Sequence, residues 1–203
     1  MYMQIVKQAD ISIPDIVLAL KAGKTLVYPT ETCYGLGCDA TNQVAIEHIF
    51  EIKHRQRNKP MLVVAADISL MMEYVVWDET LQKIADRYWP GPVTVVVQAQ
   101  GRLLPLGVVG EDGTLAFRIT KHPLAAELSR SLDAPIVSTS ANIASLESPY
   151  DISSIVSMYG GAEMQPDIII DAGELPYESP STVVRVKDGR MRVLRQGEIV
   201  VKL

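Results

Sequence analysis

The chain has 203 residues, 48% of them hydrophobic and 21% charged, with a formal charge of −5. That length and balance fit one globular domain with its own core and exclude a fibrous or disordered chain. The acidic balance also sets aside a protein held to nucleic acid chiefly by counterion release, so any RNA contact must come from a local basic patch.

The first ten residues, MYMQIVKQAD, lack a charged lead followed by an apolar run, so no signal peptide is expected. No stretch reaches about 18 apolar residues, so no membrane span is expected and the cytoplasm is the expected compartment. Ser12-Ile13-Pro14-Asp15 opens a short helix, with Ser12 as cap, Ile16, Val17 and Leu20 on one face, and Gly23 at its end. Thr25 to Tyr28 reads as a buried strand and Pro29 to Gly37 as a loop. Thr41 or Asn42 caps the next helix, whose apolar stripe is Val44, Ile46, Ile49, Phe50 and Ile52. The basic run Lys53 to Lys59 follows, then a strand from Met61 to Ala65. Helices are expected over Ser69 to Tyr74 and Thr80 to Trp89, before the Pro90-Gly91-Pro92 turn.

Val93 to Gln98 is strongly β-prone, Gly101 to Gly113 is loop-like, and Thr114 to Thr120 is a strand carrying Arg118. Pro123 to Leu132 is a helix. The strand Pro135 to Val137 runs into Ser138-Thr139-Ser140-Ala141-Asn142. A helix capped by Asp151 reaches Tyr159, and a strand covers Ile168 to Ile170. Ser181 to Val186 and Met191 to Arg195 form a hairpin around Asp188-Gly189. Alternating helices and strands followed by closely spaced strands predict a single α/β domain over residues 1–203. Its sheet should be twisted, mixed parallel and antiparallel, and flanked by helices.

No GxxxxGK[ST] loop, GxGxxG turn or G-x-S-x-G elbow is present. Cys33 and Cys38 with the scattered His48, His54 and His122 do not make a metal site. Four features remain. Lys53, His54, Arg55, Arg57 and Lys59 form a run with no acid inside it, which suits a solvated helix end or a polyphosphate. Hydroxyls and an amide crowd the strand end at Ser138 to Asn142, as in a turn or in a ligand site of an α/β sheet. Pro29 to Gly37 is a plain turn or a cradle for an anion. Arg118 alternates with apolar neighbours and is either solvent-facing or a carboxylate clamp.

Taken in order, these pieces resemble the YrdC-like threonylcarbamoyl-AMP synthases in their short, single-domain form. Pro29-Thr30-Glu31-Thr32-Cys33-Tyr34-Gly35-Leu36-Gly37 looks like the loop leading into that family's site. Lys53-His54-Arg55 is similar to its K-x-R element and Ser140-Ala141-Asn142 to its S-x-N element. Trp89 to Thr94, Arg118 with His122-Pro123, Ser181 to Val184 and Arg195-Gln196-Gly197 complete the pattern. The resemblance implies a basic cavity that converts ATP, L-threonine and bicarbonate into threonylcarbamoyl-AMP and pyrophosphate. Mg²⁺ would accompany ATP. Downstream tRNA threonylcarbamoyl-transfer proteins would use the product, and direct tRNA contact is possible in the family.

Carried over by position, Lys53 and Arg55 would be catalytic. Arg55, Lys59, Thr114, Ser140, Asn142, Ser148 and Arg195 would bind ATP. Thr32, Arg118, Ser138 and Ser181 would bind threonine, and no residue would serve as a resident metal ligand. The alternatives are a YciO-like RNA-binding protein without this activity and a carbamoyltransferase module of a larger enzyme.

Overall fold

A computed structural model describes residues 3–101 and 104–203. Its helices start where short polar side chains meet free N–H groups. Helix α1 (Ile13–Lys21) is capped by Ser12, whose Oγ accepts the Asp15 N–H. Asn42 caps α2 (Gln43–Lys53), while Thr41 is drawn to Asp39 instead. Asp67, Asp78 and Asp151 cap α3 (Ile68–Met72), α4 (Glu79–Tyr88) and α6 (Ile152–Tyr159) in the same manner. Helix α5 (Pro123–Leu132) begins with proline, as the sequence predicts. Among the described residues no helix is long and apolar enough to cross a membrane.

The strands form two mixed sheets rather than the single sheet expected. The first has five strands, in the order β1 (Gln4–Lys7), β9 (Ile168–Asp171), β2 (Leu26–Pro29), β3 (Tyr34–Gly37) and β8 (Thr139–Ser140). The second has six, in the order β11 (Arg190–Arg195), β10 (Thr182–Lys187), β5 (Val93–Gln98), β6 (Thr114–Ile119), β4 (Val63–Ala65) and β7 (Ile136–Val137). Strand β2 runs parallel to β9 and antiparallel to β3, and β5 runs parallel to β10 and antiparallel to β6. The β10–β11 turn carries positive φ at both Asp188 and Gly189, the geometry that hairpin twist favours.

Two departures from the sequence reading matter for the site. The Pro29 to Gly37 segment is a hairpin arm, not a loop, because β3 folds back on β2. Val44 does not belong to the apolar stripe: it is 76% exposed, and Ala45 occupies the buried position.

The chain changes sheets within three residues. Strand β7 pairs with β4 in one sheet, and β8 pairs with β3 in the other, with Ser138 between them. The Val137 N–H donates to the Cys38 carbonyl at 3.0 Å, and the Ser138 N–H to the Leu62 carbonyl at 2.9 Å. Gly37 permits this close approach. A Cβ there would strike the Val137 carbonyl and come within 2.9 Å of the Tyr28 ring. Gly37→Ala should therefore destabilise the fold by about 2–3 kcal/mol or more, read as a lower denaturant midpoint. An unchanged midpoint would contradict this packing.

The larger core fills the space between the sheets, α2, α4 and α6. A second cluster, including Ile16, Leu20, Leu124 and Leu128, packs α1 and α5 over β2 and β4. At its edge Asp167 accepts the Thr25 N–H and hydroxyl, each at 2.8 Å, and the Lys24 ammonium at 2.9 Å. These bonds align β2 with β9.

Candidate active site

A cavity of about 370 Å³ opens between the two sheets. The five-stranded side contributes Thr32, Gly35 and Ser140. The six-stranded side contributes Thr94, Ala116 and Arg118, with Ser181 and Arg195 at the ends of β10 and β11. Ser138 lines the cavity at the point where the sheets meet, and Ser148 lies on the following loop.

The turn between β2 and β3 is shaped by Thr30. Its hydroxyl donates to the Cys33 carbonyl at 2.7 Å and accepts the Thr32 N–H at 3.2 Å. This tight turn aims Glu31 one way and leaves Thr32 on the cavity wall. Arg118 comes from the middle of β6, where alternation puts it on the same face as Ala116. Its guanidinium meets the Glu31 carboxylate at 3.0 Å, with both side chains almost fully buried. Glu31 also accepts the Thr120 hydroxyl at 2.6 Å and the Lys121 N–H at 2.7 Å. Burial alone would raise the Glu31 carboxyl. Arg118 and these donors outweigh it and hold the group below its usual range. Arg118 Nε has no protein partner among the described residues. Arg118 is thus oriented by one acid and still has a donor to give.

Arg195 is fixed by Ser181. Its guanidinium donates to the Ser181 carbonyl at 2.8 and 3.1 Å and to the Ser181 hydroxyl at 3.1 Å. Thr94 shares a hydrogen bond of 2.9 Å with the same hydroxyl. Burial first, and the charge of Arg118 second, lower the Arg195 pKa; both guanidinium groups line the same cavity.

The basic run divides. Its helix ends at His54, which takes a left-handed φ of 48°. Arg55 lies on the cavity wall, and its guanidinium is steadied by the Lys59 carbonyl at 2.9 Å and the Pro60 carbonyl at 3.1 Å. Arg57 turns away and pairs with Glu47 of α2, over the Phe50 ring. Lys59 is exposed and is absent from the described wall. Lys53 is buried behind the wall, with its ammonium on the Ser140 and Asn142 carbonyls. Asn142 is buried beside it.

Of the residues carried over from the family pattern, eight line this cavity: Thr32, Arg55, Arg118 and Ser138, then Ser140, Ser148, Ser181 and Arg195. Thr114 does not. It sits at the far end of β6 on a separate cleft, and its hydroxyl donates to Asp112 at 2.6 Å. Sequence reasoning missed Glu31 as a site residue. A lone acid in a threonine-rich turn carries no signal until folding brings it to Arg118, 87 positions away. Tyr150 and Glu178 were missed for the same reason, since each reaches the cavity from an irregular segment.

Three guanidinium groups and a set of hydroxyls thus face one cavity in a chain of net charge −5. Such a lining is chemically suited to an anion with several oxygens. No described group of three or more His, Cys, Asp or Glu side chains has a metal-holding arrangement.

Comparison with known proteins agrees with this chemistry. A family profile described as "Telomere recombination", covering the Sua5, YciO and YrdC proteins, matches residues 18–197. A threonylcarbamoyl-AMP synthase of Aliivibrio fischeri is 32% identical over 186 residues, covering 90% of this chain and 97% of that protein. One from Vibrio vulnificus is 34% identical over 191 residues, covering 92% and 98%. The structure of P. abyssi Sua5 complexed with L-threonine superposes with a TM-score of 0.84 at 30% identity. It covers 97% of this chain, which spans 58% of that longer one. E. coli YciO gives a TM-score of 0.84 at 25% identity, covering 99% and 98%. By sequence across nearly its whole length and by fold, this chain belongs to the Sua5/YciO/YrdC family.

Proposed function

We propose that the protein is a threonylcarbamoyl-AMP synthase. It would join L-threonine, bicarbonate and ATP into threonylcarbamoyl-AMP, releasing pyrophosphate. The observation that carries this reading is the convergence of Arg55, Arg118 and Arg195 on one hydroxyl-lined cavity.

The reaction asks for positioning and charge stabilisation more than for covalent catalysis. The neutral threonine amine adds to the carbon of bicarbonate, giving a carbamate with loss of water. A carbamate oxygen then attacks the α-phosphorus of ATP, and the bond from that phosphorus to the pyrophosphate oxygen breaks. Arg118, aimed by Glu31, would take the threonine carboxylate. Thr32, Ser138 and Ser181, which line the same cavity from its two sides and its base, would meet its hydroxyl and amine. A polar site of this kind favours threonine over valine, because valine leaves buried polar groups unpaired. Arg55 would stabilise charge on the phosphates, and Arg195 would extend the cationic wall.

Mg²⁺ would accompany ATP as part of the substrate. It supplies charge neutralisation on the phosphates when ATP binds. The product would be handed to proteins that modify tRNA, a role suited to the cytoplasm. Direct tRNA contact would be an added property.

The test is pyrophosphate release from purified protein. Release should require threonine and bicarbonate together. Release without threonine would identify another acceptor, and no release in any mixture would favour a YciO-like RNA-binding role.

A further inference from the structure

The K-x-R and S-x-N elements each split across the cavity wall. Arg55 and Ser140 line the cavity, whereas Lys53 and Asn142 lie behind it, 2% and 8% exposed. The Lys53 ammonium donates to the Ser140 carbonyl, to the Asn142 carbonyl at 2.6 Å and to Asn142 Oδ1 at 3.4 Å. An ammonium has three N–H donors and no acceptor, so this geometry uses all of them. The backbone of the same lysine joins in, its carbonyl accepting the Ala144 N–H at 2.8 Å.

Asn142 is tied down at both ends of its amide. Oδ1 accepts the Ser140 hydroxyl at 2.5 Å, and Nδ2 donates to the Leu146 carbonyl. Five hydrogen bonds therefore involve the side chain of Lys53 or of Asn142, and every one ties into residues 140–146. The spacing of two residues in each element has a structural reason: one residue faces the cavity and the other anchors it.

We infer that Lys53 and Asn142 are positioning residues. They clip the 140–146 loop to the C-terminal end of α2, and the nucleotide is touched by Arg55 and the Ser140 face rather than by Lys53. This assignment rests on the nucleotide reading above for its second half and stands without it for the first.

Burying an amine is unfavourable, and the environment of Lys53 agrees with a role inside the wall. Burial first, then the Arg55 charge, push the ammonium down to about 7, while Cys33 opposes them. Three oxygen acceptors offset that cost, as buried charges require. Removing the donors would leave two backbone carbonyls unpaired and free the loop.

The experiment uses Lys53→Met, which keeps the length and apolar stem of lysine. Affinities for ATP, ADP and AMP are measured by calorimetry, alongside amide hydrogen exchange of the ligand-free protein. A clip predicts that all three nucleotides weaken together, by about 10- to 100-fold and within threefold of one another. L-Threonine affinity should fall by less than nucleotide affinity, since Arg118, its carboxylate partner, lies on the other sheet. Exchange over residues 140–146 should quicken at least tenfold while α5 stays protected.

A penalty that shrinks stepwise from ATP to AMP would place Lys53 on the terminal phosphates and overturn the inference. So would unchanged exchange in the loop, or an equal loss of threonine affinity. If Lys53→Met does not fold, Lys53→Gln, whose amide keeps two N–H donors, carries the same measurements. If the wild type binds no adenine nucleotide, the nucleotide reading fails, and the exchange arm still decides the clip.

Discussion

Replacing Arg55 with alanine should lower threonine-dependent pyrophosphate release by about 10²- to 10³-fold while the protein still folds. Arg55 is the one member of the basic run that both lines the cavity and has a fixed guanidinium. Its two bonds to the Lys59 and Pro60 carbonyls hold the planar group, with no carboxylate partner among the described residues. Burial lowers its pKa, yet a guanidinium remains charged at any working pH. An unneutralised, preorganised cation beside a developing polyphosphate charge lowers the barrier by about 3–4 kcal/mol. The structural loss is small by comparison, about 1 kcal/mol for each neutral carbonyl contact at a partly wet site. Steady-state pyrophosphate release with circular dichroism as the folding control separates the two effects. Arg55→Lys should recover only part of the rate, because a point charge cannot hold both carbonyls in one plane. Wild-type turnover in the alanine variant would remove the phosphate assignment.

The second large effect belongs to the pair Glu31–Arg118. Arg118→Ala should raise the threonine concentration needed for half-maximal rate by about 10- to 100-fold, as expected when a buried charged contact is lost. It should also cost about 3–5 kcal/mol of stability, because it leaves Glu31 buried and unpaired. Glu31→Gln should destabilise as well, and its pH dependence identifies the cause. The Glu31 carboxyl is held below its ordinary value of 4.5 in the folded protein. A depressed carboxyl stabilises the fold above the unfolded value and loses that contribution as pH falls through the folded one. The wild type's advantage over Glu31→Gln should therefore be full at neutral pH and shrink as pH drops below about 4.5. Chemical denaturation at several pH values measures it. A gap that widens on acidification would show that Glu31 is not held as the anion. An unchanged threonine dependence in Arg118→Ala would argue against the clamp.

Much of this site could be read from the chain because local chemistry governed it. Strand β5, helix α5 and the Asp188-Gly189 hairpin follow from β-branched residues, an N-terminal proline and turn residues. Strand β3 was hidden because two of its four residues are glycine, which weakens any strand signal. Those glycines serve approaches by Thr30, Tyr28 and the Val137 carbonyl that only the fold creates. Strand β1 was missed because it is a mostly exposed edge with little alternation to detect. The charge run illustrates the same limit. Arg55, Arg57 and Lys53 are alike as sequence, but their fates depend on Glu47, on the 140–146 loop and on which way the chain leaves α2. Thr114 shows the converse, since a residue two places from Ala116 on the same strand falls outside the cavity.

The crossing at Ser138 has a mechanical consequence. The cavity belongs to neither sheet, so the sheets act as the two covers of a book whose spine is the Val137–Thr139 backbone. Thr32 and Ser140 ride on one cover, and Arg118, Ser181 and Arg195 on the other. A small rotation about the spine changes the gap between the covers more at the mouth than at Ser138. A ligand that touches both covers therefore spans two sheets whose backbones already meet at the spine.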